Sequence, residues 1–110
     1  MVQVLVNKPQ PLEERFAQER DRVQAAFGAR LRKFRTAKRL TLEMLAERAD
    51  LHPNYVGAIE RGERNLSLYN IWRLAHGLDL NAAELMQALP ARKFVTWTSE
   101  AQSGTTPASP

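Results

Sequence analysis

Between residues 12 and 89 proline occurs once, at position 53. No alternating run of β-branched residues interrupts that window, so its backbone is open to the helix and has little to build strands from. Pro9 and Pro11 stand where the chain enters the window and Pro90 where it leaves. Apolar residues recur at helical spacing in five pieces. Leu31, Phe34 and Ala37 lie in a basic segment that ends near Lys38 and begins at Val23 or Leu12. Leu45, Ala46 and Ala49 make a second face, and Val56 and Ile59 a third. Ile71, Leu74, Ala75 and Leu78 make a fourth, and Leu85, Met86 and Leu89 a fifth. The expectation is an all-α domain over residues 27–89, made of five short helices. A domain of about 60 residues has a limited core, which favours marginal stability or dimerisation. Residues 1–26 read as a partly helical N-terminal extension and 90–110 as a C-terminal segment, its last eight residues SGTTPASP disordered.

The expected helix ends carry their own chemistry. Thr41 suits an N-cap, with Leu40 and Leu45 at the spacing of a hydrophobic staple. Asp50 stands where the chain must reverse, a place for a left-handed residue. His52 takes the next cap position and Pro53 the first helical one, where a missing N–H does no harm. Gly62 ends the third helix, Ser67 caps the fourth, and Asn81 with Glu84 reads as a capping-box variant for the fifth.

Charge narrows the function. The chain is +4 overall, and the excess is local: residues 30–66 carry nine basic and five acidic groups, while both flanks are neutral. A compact basic surface suits a polyanion such as nucleic acid; a merely solvated basic face is the alternative. There is no cysteine, hence no disulfide, thiolate metal site or cysteine nucleophile. Apolar runs such as Ala25–Ala29 are too short to span a bilayer, and MVQVLVN lacks the pattern of a secretory signal. A cytoplasmic protein is the expectation. His52 and His76 have no carboxylate at ligand spacing, and no phosphate loop or serine elbow occurs, so no metal, cofactor or enzyme activity is expected. The carboxylates Glu13, Glu14 and Glu19 interleave with Arg15, Arg20 and Arg22 as a salt-bridged helix face.

Residues 41–62, TLEMLAERADLHPNYVGAIERG, then have the spacing helix, short turn, helix. Leu45, Ala46 and Ala49 are the small apolar crossing residues, Leu51 plugs the turn, and Val56 and Ile59 face inward. LRKFR at 31–35, LTLEMLAERADL at 40–51, YVGAIERG at 55–62 and LSLYNIWRLAHGLDLNAAEL at 66–85 together resemble the phage Cro/repressor-type (XRE-type) helix-turn-helix family. The run ERGERNLSLYNI at 60–71 also resembles its restriction–modification controller branch. The resemblance implies a five-helix lambda-repressor-like fold. It also implies a sequence-specific double-stranded DNA-binding transcriptional regulator, acting as a homodimer, with the helix at 53–61 in the major groove. The chain departs from the family pattern at Leu42, usually glutamine, at Asp50, usually glycine, and at Pro53, often polar.

On this reading His52, Pro53, Asn54, Tyr55 and Ala58 face the bases, Asn54 pairing with adenine and Ala58 meeting a thymine methyl. Thr41, Arg61, Arg64 and Asn65 contact phosphates and position the domain. The resemblance pairs Arg35 with Glu60 in a buried ion pair that fixes the second helix of the motif. Gly57 costs about 1 kcal/mol in mid-helix, which points to close approach of two helices or to a local cavity. Trp72 reads as core or core edge, and Tyr69 as packing or a phosphate contact. Leu85 and Leu89, joined by Phe94 and Trp97, are the expected dimer surface. The segments ARKFVTWTS and MVQVLV pack back on the domain, pair as a strand with a second chain, pair with each other in one small sheet, or wait for a protein partner. The last option defines the alternative, an antitoxin-like or coactivator-like adaptor that uses the same fold and is favoured by the aromatic segment 94–97 and the charged stretch 12–26.

Overall fold

The structure, a computed structural model, describes residues 12–92. Within them the chain forms five helices and no strand: α1 Leu12–Ala37, α2 Leu42–Ala49, α3 Pro53–Glu60, α4 Leu68–Leu78 and α5 Ala82–Met86. α1 is a single rod of 26 residues that runs unbroken across position 26, so the helical part of the N-terminal extension and the first helix of the domain are one element. Glu13 and Glu14 lie in its first turn and Arg35 in its last, each complementing the helix dipole. Its C-terminal half buries Phe27, Gly28 and Leu31. Ala37, expected on the same apolar face, is exposed because the chain turns away at Lys38.

Every later helix opens on the expected cap. Thr41 Oγ1 accepts from Met44 N at 3.0 Å, His52 Nδ1 from Asn54 N at 3.0 Å, and Ser67 Oγ from Asn70 N at 3.1 Å. Asn81 Oδ1 accepts from Ala83 N at 2.9 Å, while Glu84 Oε2 accepts from Asn81 N at 3.3 Å. The closing turns share one device. The N–H groups of Leu40, Leu51, Glu63 and Leu80 donate back to the carbonyls of Arg35, Ala46, Ala58 and Ala75, five positions upstream. Such a turn needs a left-handed residue just before that donor. Arg39, Asp50 and Asp79 supply it at φ 60°, 61° and 58°, and Gly62 at 80°. Only at Gly62 is glycine required twice over, because a Cβ there would also sit 2.9 Å from Ala25 Cα.

One core holds the five helices together. Leu31, Leu45, Val56, Ile59, Leu74, Leu78 and Leu85 are fully buried in it. α2 packs on α3 and α4, α1 on α3 and α5, and α4 on α5. Burial of a leucine or isoleucine side chain contributes about 1.5–3 kcal/mol, so these few residues supply most of the cohesion of so small a domain. Leu85 is at 0% exposure. It points into its own domain and offers no surface to a second copy; the large apolar residue that α5 turns outward is Met86, 38% exposed. Leu89 is half-buried against the same core, and Phe94 and Trp97 lie outside the described residues. Trp72 goes the other way: it is 59% exposed, because Leu74, Ala75 and Leu78 already fill the inner face of α4. No helix among the described residues is long and apolar enough to cross a membrane.

Candidate nucleic-acid interface

The motif at 41–62 is built from α2, the turn at 50–52 and α3. Asp50 reverses the chain in the left-handed region, and Leu51, half-buried, plugs the turn against the core. Pro53 then starts α3 with His52 as its cap. Val56, Gly57, Ala58 and Ile59 are buried, which leaves the first turn of α3 as its open part. His52 and Asn54 are exposed, and Pro53 and Tyr55 half-exposed. Ala58, expected to meet a base, is 3% exposed. The inward face of α3 is wider than Val56 and Ile59 alone suggest, because α1 crosses its C-terminal end closely.

Gly28 makes that crossing possible. A Cβ at this position of α1 would meet Ile59 O, and would lie 2.6 Å from Glu60 O and 2.9 Å from Glu60 C. Backbone therefore touches backbone. Gly57, by contrast, is not needed for helix approach: a Cβ there would lie 3.3 Å from Arg61 Nη1 and 3.6 Å from Leu42 Cδ1, side-chain atoms that can move. The tightest helix approach is at a glycine of α1, where no local rule marks it.

The second clamp is Arg35 with Glu60. Arg35 Nε donates to Glu60 Oε2 at 2.6 Å and Nη2 to Oε1 at 3.0 Å, while Nη1 donates to Leu40 O at 2.7 Å. The side chains are 13% and 7% exposed, so the bidentate pair is largely dry. The Glu60 hydrogen bonds hold the guanidinium pKa above its ordinary value, against the opposing effect of burial. The pair locks the end of α3 to the last turn of α1 and to the turn before α2.

A third set of contacts was not legible in the sequence. Arg73, on α4, donates from Nε to Ala49 O at 3.2 Å and from Nη2 to Asp50 O, satisfying the carbonyls where α2 ends. Its Nη1 donates to Asn70 Oδ1 at 3.3 Å, and Asn70 Nδ2 donates to Tyr55 Oη at 3.1 Å. Gln24 holds the end of the next turn through Nε2 to Gly62 O at 2.9 Å, and Arg30 holds α5 through Nε to Glu84 O at 2.9 Å. Apart from Arg73 and Asn70, three positions apart on α4, these partners lie 15 to 54 positions apart, where no spacing rule links them, so only the folded contacts identify these roles.

The phosphate candidates separate by charge. Arg61 Nε and Nη2 donate to Glu63 Oε2 and Oε1 at 2.9 and 3.2 Å. Each holds the other ionised: Arg61 is raised and Glu63 lowered, chiefly by that hydrogen bonding. Arg61 is thus matched within the protein, whereas Arg64 donates only to the Glu63 carbonyl among the described contacts, at 3.2 Å. Asn65 is exposed beside it. Thr41 is exposed, and since its oxygen already accepts from Met44, its own proton is available to an outside acceptor. No cluster of potential metal ligands occurs among the described residues.

A helix-turn-helix family profile matches residues 31–85. The chain is 37% identical over 65 residues to control protein C.BamHI of Bacillus amyloliquefaciens, covering 58% of this chain and 80% of that protein. It is 38% identical over 64 residues to control protein C.MunI of a Mycoplasma species, covering 57% and 86%. Among solved structures, the restriction-modification controller protein C.AhdI from Aeromonas hydrophila matches at 52% identity and a TM-score of 0.56, covering 56% of this chain and 94% of that one. The clp gene regulator ClgR from Corynebacterium glutamicum matches at 33% identity and a TM-score of 0.58, covering 60% and 70%. The matched stretch contains α2, the turn and α3 with both partners of the Arg35–Glu60 clamp, and the chain belongs to the helix-turn-helix family.

Proposed function

We propose that the protein is a sequence-specific double-stranded DNA-binding transcriptional regulator of the restriction–modification controller type. It is without enzymatic activity, and it works in the cytoplasm as a homodimer. The observation that carries this reading is the open first turn of α3. His52 and Asn54 are exposed there, and no other part of the described chain covers them. Asn54 offers a donor and an acceptor together, the pattern that pairs bidentately with adenine in a major groove. Thr41, at the start of α2, and Arg64 and Asn65, beyond the end of α3, are exposed and contact phosphates. With Ala58 and Leu85 buried, base reading falls to His52, Pro53, Asn54 and Tyr55, and apolar surface for a second copy falls to Met86 on α5 and, more broadly, to α4. Leu68, Tyr69 and Trp72 are 79%, 63% and 59% exposed there. Half-sites would lie about one helical turn apart on a roughly palindromic operator.

Selection of bound duplexes from a random pool, followed by titration of the winner at two salt concentrations, tests the proposal. A single enriched, roughly palindromic site is expected, with affinity falling steeply as salt rises because counterions are released. No enrichment, or affinity indifferent to salt, refutes it. Sedimentation of the pure protein reads the dimer separately. An adaptor role has one observation in its favour: Leu12 and Phe16 on the N-terminal half of α1 are 48% and 51% exposed. That surface is independent of the α3 edge, so both roles fit one chain.

A further inference from the structure

The contacts among Arg73, Asn70 and Tyr55 have a direction. Arginine is a donor only, so the atom of the Asn70 amide facing Arg73 Nη1 at 3.3 Å must be the carbonyl oxygen. That fixes which way the amide lies. The other atom, Nδ2, then donates to Tyr55 Oη at 3.1 Å. The amide cannot turn over without setting its NH2 against the guanidinium. The backbone of Asn70 is held too, its N–H donating to the Ser67 cap at 3.1 Å. Arg73 is anchored in turn on the carbonyls of Ala49 and Asp50 at the turn of the motif.

A phenol carries one proton to donate and lone pairs to accept. Tyr55 Oη already accepts from Asn70 Nδ2, so its proton is directed away from that amide. Resting on the DNA-binding role proposed above, we infer that Asn70 is a positioning residue for recognition. It orients the Tyr55 hydroxyl as a hydrogen-bond donor toward an acceptor atom of the duplex, a phosphate oxygen or a base-edge oxygen or nitrogen. Tyr55 is half-exposed, at the boundary between the core and the open turn of α3, which is where such a donor must sit. Without Asn70, the hydroxyl is free to spend its proton within the protein or on water, and the ring loses its tether.

The test is a pair of double-mutant cycles on the full chain with the selected duplex. Tyr55→Phe removes the hydroxyl and should weaken binding by about 2–12-fold, the worth of one neutral hydrogen bond. Asn70→Ala should weaken binding by a similar factor with Tyr55 present, and hardly at all in the Tyr55→Phe background. Asn70→Asp keeps the partner of Arg73 but presents only acceptors to Tyr55, so it draws the phenol proton inward. Its effect should exceed that of Asn70→Ala and shrink in the Tyr55→Phe background. Loss of affinity by the same factor in both backgrounds, or no loss, overturns the inference while the DNA-binding reading stands. Failure of the unmutated chain to bind any duplex overturns both. Thermal midpoints of the variants, read by circular dichroism, separate lost fold from lost positioning. A constant Tyr55→Phe penalty across site variants assigns the acceptor to phosphate, and a penalty confined to one position assigns it to a base; either supports the donor role.

Discussion

Gly28→Ala sets two rules against each other. By helix propensity alone, alanine in mid-helix is better than glycine by about 0.8–1.0 kcal/mol. The fold reverses the sign. The new Cβ would lie 2.6 Å from Glu60 O and 2.9 Å from Glu60 C, and would overlap Ile59 O as well. These are backbone atoms at the end of α3, so no side chain can swing aside. α1 and α3 must part by several tenths of an ångström, and the Arg35–Glu60 hydrogen bonds at 2.6 and 3.0 Å span the same gap. Overpacking of this kind costs about 1–3 kcal/mol and more when backbone resists. The net expectation is destabilisation by about 1–2 kcal/mol after the propensity gain. With a urea dependence of about 1–3 kcal/mol/M, the unfolding midpoint should fall by roughly 0.3–2 M. Gly57→Ala is the internal control. Its Cβ meets only Arg61 Nη1 at 3.3 Å and Leu42 Cδ1 at 3.6 Å, so the propensity gain should survive and stability should rise by up to about 1 kcal/mol. Opposite shifts of the two variants are expected in equilibrium urea melts. Equal rises would refute the close crossing of α1 over α3.

Glu60→Gln should cost about 2–3 kcal/mol, because a largely buried guanidinium keeps one acceptor and loses its counter-charge. A melt should show the midpoint lowered by roughly 10–20 °C, and an unchanged midpoint would mean that the pair is wet. Replacing both partners by apolar residues of similar volume should restore part of the loss. Asn54→Ala should relax base choice at one operator position by about 1–3 kcal/mol. Arg64→Ala should weaken all duplexes about equally and lower the salt slope by about 1; a position-specific effect of Arg64→Ala would contradict its placement on phosphate. Glu19 accepts from Arg92 at 2.7 and 2.9 Å, and this hydrogen bonding holds its carboxyl below the ordinary carboxylate value. Because the folded value is the lower one, the contact contributes above the ordinary value and is lost as pH falls through the folded value. Carbon NMR of Glu19 should show its titration moving up in Arg92→Ala.

The helices, their order and most of their caps were legible from residue types, but not that the first helix is a 26-residue rod from Leu12 or that the last stops at Met86, short of Leu89. Thr41, His52, Ser67 and Asn81 each bond an N–H two or three residues on, and Asp50 and Gly62 each sit in a turn closed over five positions. Contacts of such short reach depend on little but the residues that make them. The Arg35–Glu60 clamp was legible as well, though only through resemblance to other chains. What the amino-acid order left open was which faces become covered. Ala58 is buried because α1 crosses α3 over Gly28, and Leu85 because α1 and α4 enclose α5. Trp72 is exposed because its neighbours on α4 already meet α2. The chain from Arg73 through Asn70 to Tyr55 joins three elements whose residues lie 15 to 24 positions apart. Periodicity says that a helix has an apolar side. How wide that side is, and which polar atoms meet across it, depends on the angle and distance at which distant helices cross, and those are properties of the packed whole.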